Sequence, residues 1–391
     1  MEFEKHCWAE IELDALRQNF AAIQARVGGD ICAVVKADAY GHGDVVVAQT
    51  LQRAGAAAFA VSCLEEGKHL RRHGITKPVL ILGYTDPACA AALAENDITQ
   101  TLFSAEYAAA LSAAAVRAGC TVSCHLKLDT GMGRIGFAAR TDFDGAVAAM
   151  EGCYALPGLR ITGIFQHFAV ADSVAADNIA YTDEQHALFT RAVARLQADG
   201  FATGTVHCAN SAAQMTHPDW RHDLTRAGII LYGLDPSPEV HFGLRPVMSL
   251  KAVVTFVKEL QPGQSVSYGR TFTATVPTRV ATVCVGYADG YPRLLSGKGV
   301  MRINGKAAPV LGRVCMDQTI VDVSGIPDAK MGDEVLVFGP DAGGPADTAD
   351  TIAEKTGTIN YEITCGISRR VPRVYLQDGR TVHIWNDLEE T

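Results

Sequence analysis

The sequence predicts an α/β fold: an eight-stranded (β/α) barrel with a second, mostly β C-terminal domain. From about residue 30 to 235, short β-branched runs alternate with alanine-rich segments of helical period, the pattern of repeated βα units and a parallel sheet. After 235–239, which holds two prolines and no periodicity, the composition changes to alternating strand signals separated by Pro-Gly, Asn-Gly and Gly-Asp turns. At 391 residues the chain is too long for one ordinary domain and suits such a pair, expected at 1–242 and 243–391.

The expected barrel strands are 31–35, 57–62, 79–82, 97–102, 122–128, 160–165, 204–208 and 227–231. Between them, stretches such as 105–119 carry helix formers and finish on a glycine suited to a left-handed cap. In the second domain, strand signals fall at 250–257, 265–268, 279–285, 299–303, 308–311, 319–323 and 334–338, and Asn304-Gly305 is the clearest hairpin marker.

Composition narrows the function. Hydrophobic residues make up 48% and charged residues 20%, as in compact soluble proteins. The net charge is -9 and no Lys/Arg run could form a polyanion-binding stripe, which argues against nucleic acid. The acidic start Met1-Glu2-Phe3-Glu4-Lys5-His6 lacks the basic-then-apolar order of a secretory signal, and no apolar run is long enough to span a bilayer. A cytoplasmic location with no membrane partner is expected. Eleven cysteines, odd in number and mostly inside apolar runs, read as reduced, buried small hydrophobes; the close pair Cys120 and Cys124 lacks the companions of a zinc set. No metal site is expected.

In eight-stranded α/β barrels the reactive groups stand at the C-terminal ends of the strands. Lys36 follows the first strand, Lys127-Leu128-Asp129-Thr130 the fifth, Gln166-His167 the sixth and His207 to Ser211 the seventh, while Arg226 precedes the eighth. Asn210, Ser211, Gly228 and Ile229 offer N-H groups and a hydroxyl where such barrels bind phosphate. A lysine directly after Ile31-Cys32-Ala33-Val34-Val35 must be desolvated, paired or neutralised, and a lysine of lowered pKa is a Schiff-base nucleophile. On position alone, a lysine that simply emerges into solvent is the simpler reading.

The next residues alter that balance. Val35-Lys36-Ala37-Asp38-Ala39-Tyr40-Gly41-His42-Gly43 resembles the cofactor-attachment signature of the alanine racemase family. The resemblance continues through Lys127-Leu128-Asp129-Thr130-Gly131-Met132-Gly133-Arg134, His207-Cys208-Ala209-Asn210-Ser211, Arg226-Ala227-Gly228-Ile229 and Ser267-Tyr268-Gly269-Arg270. Gly286-Tyr287-Ala288-Asp289, Cys315-Met316-Asp317 and Asn360-Tyr361-Glu362 extend it over essentially the whole chain.

The resemblance implies an isomerase interconverting L- and D-alanine, supplying D-alanine for peptidoglycan, with pyridoxal 5'-phosphate in imine linkage to Lys36. Lys36 and Tyr268 would be the two proton carriers, Tyr268 coming from the other subunit of a homodimer. Two bases on opposite faces of one carbon are what racemisation requires. His167 and Arg226 match the residues lined up behind that tyrosine, and Arg226 would face the pyridine nitrogen. An arginine stays protonated, so the nitrogen stays unprotonated, and a poorer electron sink puts more demand on the two bases. Tyr40, Asn210, Ser211, Gly228, Ile229 and Tyr361 would hold the phosphate end of the cofactor. Arg134 would steer the substrate carboxylate, and Lys127 matches a lysine carbamylated in many members; a surface salt bridge with Asp129 is the plain alternative. Met316 and Tyr287 of the partner would narrow the substrate entrance.

Asp38 stands where many relatives have asparagine, and Gln166 where threonine or serine is usual; neither touches the proton route. The remaining histidines, His6, His69, His73, His125, His186, His217, His222, His241 and His383, show no ligand spacing and are assigned to surface or core duty. Serine or broad-specificity racemases share these motifs. Barrel-type amino-acid decarboxylases are disfavoured because they usually pair the pyridine nitrogen with a carboxylate, and cofactor carriers made of the barrel alone lack the β domain.

Overall fold

The computed structural model describes residues 3–340, 344 and 346–389. Met1 and Glu2 of the amino-terminal stretch read above lie outside them. Eight strands form the parallel barrel: β1 (Ile31–Val34), β2 (Ala58–Val61), β3 (Val79–Ile81), β4 (Ile98–Leu102), β5 (Val122–Asp129), β6 (Leu159–Phe165), β7 (Thr205–His207) and β8 (Thr225–Ala227). Neighbours pair in the order β8-β1-β2-β3-β4-β5-β6-β7. Every residue of β1, β2 and β3 is buried, because barrel side chains fill the interior and helices cover the exterior. The β7–β8 seam has no ladder and is nearly closed by Arg226 N-H to Ala209 O at 3.0 Å and Asp223 N-H to Val206 O at 3.1 Å. The expected helix after β4 runs Ala105–Ala118 and ends on Gly119 in the left-handed conformation.

The eighth strand corrects the sequence reading, which placed it at 227–231. It is Thr225–Ala227, so Arg226 lies within it. Gly228 turns out of the β region at φ -112, ψ -108, and Ile229–Tyr232 winds into a 3₁₀ turn ended by left-handed Gly233. All four residues of that turn are buried, and a fully buried apolar run has no polar face to reveal its period.

The C-terminal part is a nine-stranded sheet. Its spine is the 13-residue strand Met248–Leu260, flanked by Thr278–Val283, Glu334–Phe338 and Cys7–Glu12. Val300–Ile303 and Lys306–Pro309 pair across Asn304-Gly305, whose φ values of 50° and 77° give the expected hairpin turn. Strand Cys7–Glu12 was not anticipated: it runs antiparallel to Met248–Leu260 and parallel to Arg373–Gln377, both far away in sequence. The expected strand at 265–268 shortens to Ser265–Val266, because Ser267 at φ 64° starts a tight turn that carries Tyr268. Among the described residues no helix is long and apolar enough to cross a membrane.

Candidate active site

Lys36 leaves β1 into a turn of unusual hand. Ala37, Asp38, Ala39 and Tyr40 all have φ between 52° and 54°, a left-handed turn without glycine. Each such residue costs roughly 1–2 kcal/mol, so the surroundings must hold the turn in place. Glu66 accepts the N-H of Ala37 at 2.7 Å and of Ser62 at 2.6 Å, tying the turn to the end of β2. Asp38 accepts the N-H of Asp44 at 2.9 Å, and Nδ1 of buried His42 meets the carbonyls of Ala39 and Tyr40, each at 3.0 Å. Arg373 of the C-terminal sheet donates to Gly41 O at 3.1 Å, and a Cβ on Gly41 would lie 2.1 Å from Thr364 O. The second domain thus braces the lysine loop. Burial holds the Lys36 ammonium below its ordinary pKa, Arg134 adds to the effect, and Glu66 and Cys365 oppose it.

Arg226, only 3% exposed, spans the barrel mouth. Its Nη2 donates to Gln166 O at 2.7 Å and Cys208 O at 3.0 Å and lies 3.4 Å from His167 Nδ1; its Nη1 lies 3.0 Å from His207 Nδ1 and donates to His207 O at 3.2 Å. Nε takes part in none of these contacts. Burial without a carboxylate lowers the guanidinium to about 10, still protonated near neutrality. Burial and then Arg226 hold His167 and His207 well below the ordinary histidine range.

Tyr40, Ser211 and Gly228 converge at the same end of the barrel. The N-H of Gly228 donates to Ser211 Oγ at 3.0 Å, and a Cβ on Gly228 would lie 2.7 Å from Tyr40 Oη. The Tyr40 and Tyr361 rings are 5.9 Å apart. Asn210 caps the helix Ser211–Thr216 by accepting from Ala213 N at 3.0 Å, and Ile229 begins the 3₁₀ turn just beyond Gly228.

Lys127 is buried, with Nζ 5.6 Å from the centre of the Phe165 ring. Burial, then Arg134 and Arg226, lower it to about 7. The alternative of a salt bridge with Asp129 does not hold among the described residues: Asp129 Oδ1 accepts Gly131 N-H at 2.9 Å and Gly133 N-H at 3.1 Å, closing its own loop. Arg134 lies exposed on that loop.

Tyr268, Tyr287 and Met316 form a separate exposed group, at 70%, 42% and 52% exposure. Tyr287 N-H donates to Cys315 O at 3.1 Å, Ala288 N-H to Met316 O at 3.0 Å, and Ser267 Oγ lies 3.4 Å from Cys315 Sγ. The three loops are therefore held side by side. No hydrogen bond among the described residues links these three side chains to Lys36.

Residues 11–236 match the family described as alanine racemase, N-terminal domain, and residues 247–375 match alanine racemase, C-terminal domain. The chain belongs to the alanine racemase family. The alanine racemase of Desulfovibrio desulfuricans is 48% identical over 381 residues, covering 96% of this chain and 100% of that one. Among solved alanine racemases, that of Clostridium difficile 630 superposes with a TM-score of 0.92 at 40% identity, covering 98% of this chain and 99% of the other. The Bacillus anthracis alanine racemase with bound L-Ala-P gives 0.91 at 36% identity, with both chains covered completely.

Sequence reasoning missed several contributors to this racemase-family site. Glu66 and Arg373 hold the lysine loop from distant elements. His125, assigned to surface or core duty, has Nδ1 2.9 Å from His207 Nε2 and so extends the Arg226 network. Apart from that site, His186 and His222, assigned likewise, meet Cys208: the ligand atoms of all three lie within 4.8 Å of one another. The cysteines are all free, but six are buried, four half-buried, and Cys365 is exposed.

Proposed function

We propose that the chain interconverts L- and D-alanine with pyridoxal 5'-phosphate, as a cytoplasmic homodimer whose active sites are shared between subunits. The observation that carries this is the cradle of Tyr40, Ser211 and Gly228 at the barrel end that also carries Lys36: the two hydroxyls can donate to an anion, the Gly228 N-H donates to Ser211 Oγ at 3.0 Å, and the missing Cβ of Gly228, which would lie 2.7 Å from Tyr40 Oη, leaves room beside them. Tyr40, Asn210, Ser211, Gly228, Ile229 and Tyr361 would hold the phosphate, and Lys36 the cofactor's carbonyl carbon. When bound, the cofactor draws electrons from the substrate's α-carbon and so acidifies its α-hydrogen.

The chain's own groups do the rest. Lys36 Nζ, lowered by burial, takes or returns the proton on one face, and Tyr268 Oη of the partner subunit does so on the other. Arg226 Nε, outside the contacts that hold the two Nη atoms, would face the pyridine nitrogen as a permanent donor, and His167, 3.4 Å from Arg226 Nη2, would line up with it behind the partner's Tyr268. Arg134 orients the substrate carboxylate. Lys127, lowered to about 7, is uncharged in an appreciable fraction of molecules at neutral pH, the form able to take up carbon dioxide as a carbamate, which would pair with Arg134. The partner's Tyr287 and the partner's Met316 narrow the entrance.

The test is direct. Purified holoenzyme is expected to bring either alanine enantiomer to an equal mixture and to act far more slowly on D-serine and D-lysine. Borohydride reduction and peptide mapping are expected to find the cofactor on Lys36. A label on Lys127, or faster turnover of serine than of alanine, overturns the assignment.

A further inference from the structure

We propose that His186, Cys208 and His222 form a binding site for one divalent transition-metal ion of the zinc class, on the outer side of the barrel behind β7. Side chains alternate along a strand. His207 points inward to Arg226 and His125, and Cys208, the next residue, turns outward to the helix Ala176–Ala198 that carries His186. His222 reaches the same place from the loop before β8.

Three features separate this group from a chance meeting of core residues. The three ligand atoms lie within 4.8 Å of one another, while a tetrahedral zinc ion sets nitrogen and sulfur ligands about 3.3–3.7 Å apart, so closing the site takes shifts of about 1 Å or less. His222 can supply the movement: the residue is exposed and makes no hydrogen bond among the described residues, and its ring lies against those of His186 and Phe189, each at 5.6 Å. The His186 ring is held face to face on Trp220, centroids 4.1 Å apart and 6° from parallel, yet its Nε2 is buried with no hydrogen-bond partner. A buried imidazole nitrogen with nothing to meet calls for a ligand.

The donor set selects the ion. One thiolate and two imidazoles suit zinc and cobalt(II), not magnesium or calcium, and a tetrahedron leaves the fourth position to water. On binding, the Cys208 thiol gives its proton to solvent as the sulfur–metal bond forms, and the Sγ contact to Trp220 O at 3.2 Å is given up. Cys208 O meanwhile keeps its 3.0 Å hydrogen bond from Arg226, so the site is one peptide away from the active-site arginine without using it.

The experiment is to dialyse reduced holoenzyme against cobalt(II), count metal per chain, and record the red-end absorption that distinguishes tetrahedral from octahedral cobalt. One tetrahedral ion per chain, displaced by zinc, is expected. His222→Gln and His186→Gln should each weaken binding by more than about tenfold, with circular dichroism and racemisation unchanged. Cys208→Ser should remove the thiolate charge-transfer band. His222 is exposed, so its variant folds whatever happens at the buried cysteine. Less than one ion per chain at saturating cobalt, octahedral spectra, or binding unaffected by both histidine changes would overturn the proposal.

Discussion

Nη1 of Arg226 lies 3.0 Å from Nδ1 of His207, and Nε2 of that same ring lies 2.9 Å from Nδ1 of His125. A guanidinium only donates, so His207 accepts at Nδ1 and carries its proton on Nε2, which it donates to His125. One arginine thereby sets the tautomers of two histidines and seals the barrel where β7 and β8 have no ladder. Removing it should be costly. In Arg226→Leu the buried carbonyls of Gln166 and Cys208 lose donors, each worth about 1–3 kcal/mol. Urea unfolding of the cofactor-free protein is expected to show a loss on the order of 3–5 kcal/mol. A loss below about 1 kcal/mol would mean that water replaces the guanidinium there.

The same network predicts a pH dependence. Burial, with Arg226 adding to it, lowers His125 from 6.5 to about 4. Between these values the unfolded chain binds a proton that the folded chain refuses, so stability rises with pH across the window. The contribution is intact above 6.5 and is lost as pH falls through 4. His125→Gln should flatten the slope of unfolding free energy against pH in that window; an unchanged slope would assign the effect to other groups.

Asp38 predicts the opposite sign. Burial raises its carboxyl from 3.8 to about 6, although Arg373 pulls it down. The folded chain therefore binds the extra proton between those values, and the favourable contribution, whole below 3.8, is lost as pH rises through 6. An asparagine oxygen accepts the Asp44 N-H equally well. Asp38→Asn should thus gain stability over the parent on going from pH 4 to pH 7, read from denaturant midpoints at the two pH values. A variant that loses ground over that range would show that the ion pair with Arg373 outweighs burial.

What could be read from the sequence follows from how locally each part is encoded. Lys36, Tyr40, Lys127, Ser211 and Gly228 stand in short strings at strand ends, and the Asn304-Gly305 turn needs only its own two residues. Strand Cys7–Glu12 gives no such signal, because its partners are Ala252 and Arg373 and their neighbours, more than two hundred residues away. His125 gains meaning only once His207, 82 residues on, lies beside it. The eighth strand was misplaced because Ile229–Tyr232 is buried on every side. Tyr268 could be found by motif, yet its own chain leaves it 70% exposed, so the role proposed for it needs a second chain.

That dependence can be measured. With Tyr268, Tyr287 and Met316 exposed and Lys36 half-buried, each active site should combine two chains. Lys36→Ala and Tyr268→Phe homodimers are each expected to be inactive, and refolding the two together should restore activity in hybrids, which hold one site free of both changes. Hybrids that form, shown by a tag on one chain, but stay inactive would exclude the shared site.

The two-base assignment is tested by direction more sharply than by loss of activity. If Lys36 and Tyr268 of the partner subunit stand on opposite faces of the α-carbon, each handles the proton of one enantiomer. By the family resemblance, Lys36 would serve D-alanine and the tyrosine L-alanine. Tyr268→Phe keeps the ring and removes only the hydroxyl, so cofactor binding should survive, since the cradle of Tyr40, Ser211 and Gly228 is untouched. Racemisation should fall by at least the roughly 10²–10⁴-fold usual for a lost acid/base. In heavy water the variant should still exchange the α-hydrogen of D-alanine, because Lys36, kept below its ordinary pKa by burial, retains its role. Exchange from L-alanine should nearly vanish. Equal residual exchange from both enantiomers would mean that one group reaches both faces, and the tyrosine would lose its place in the mechanism.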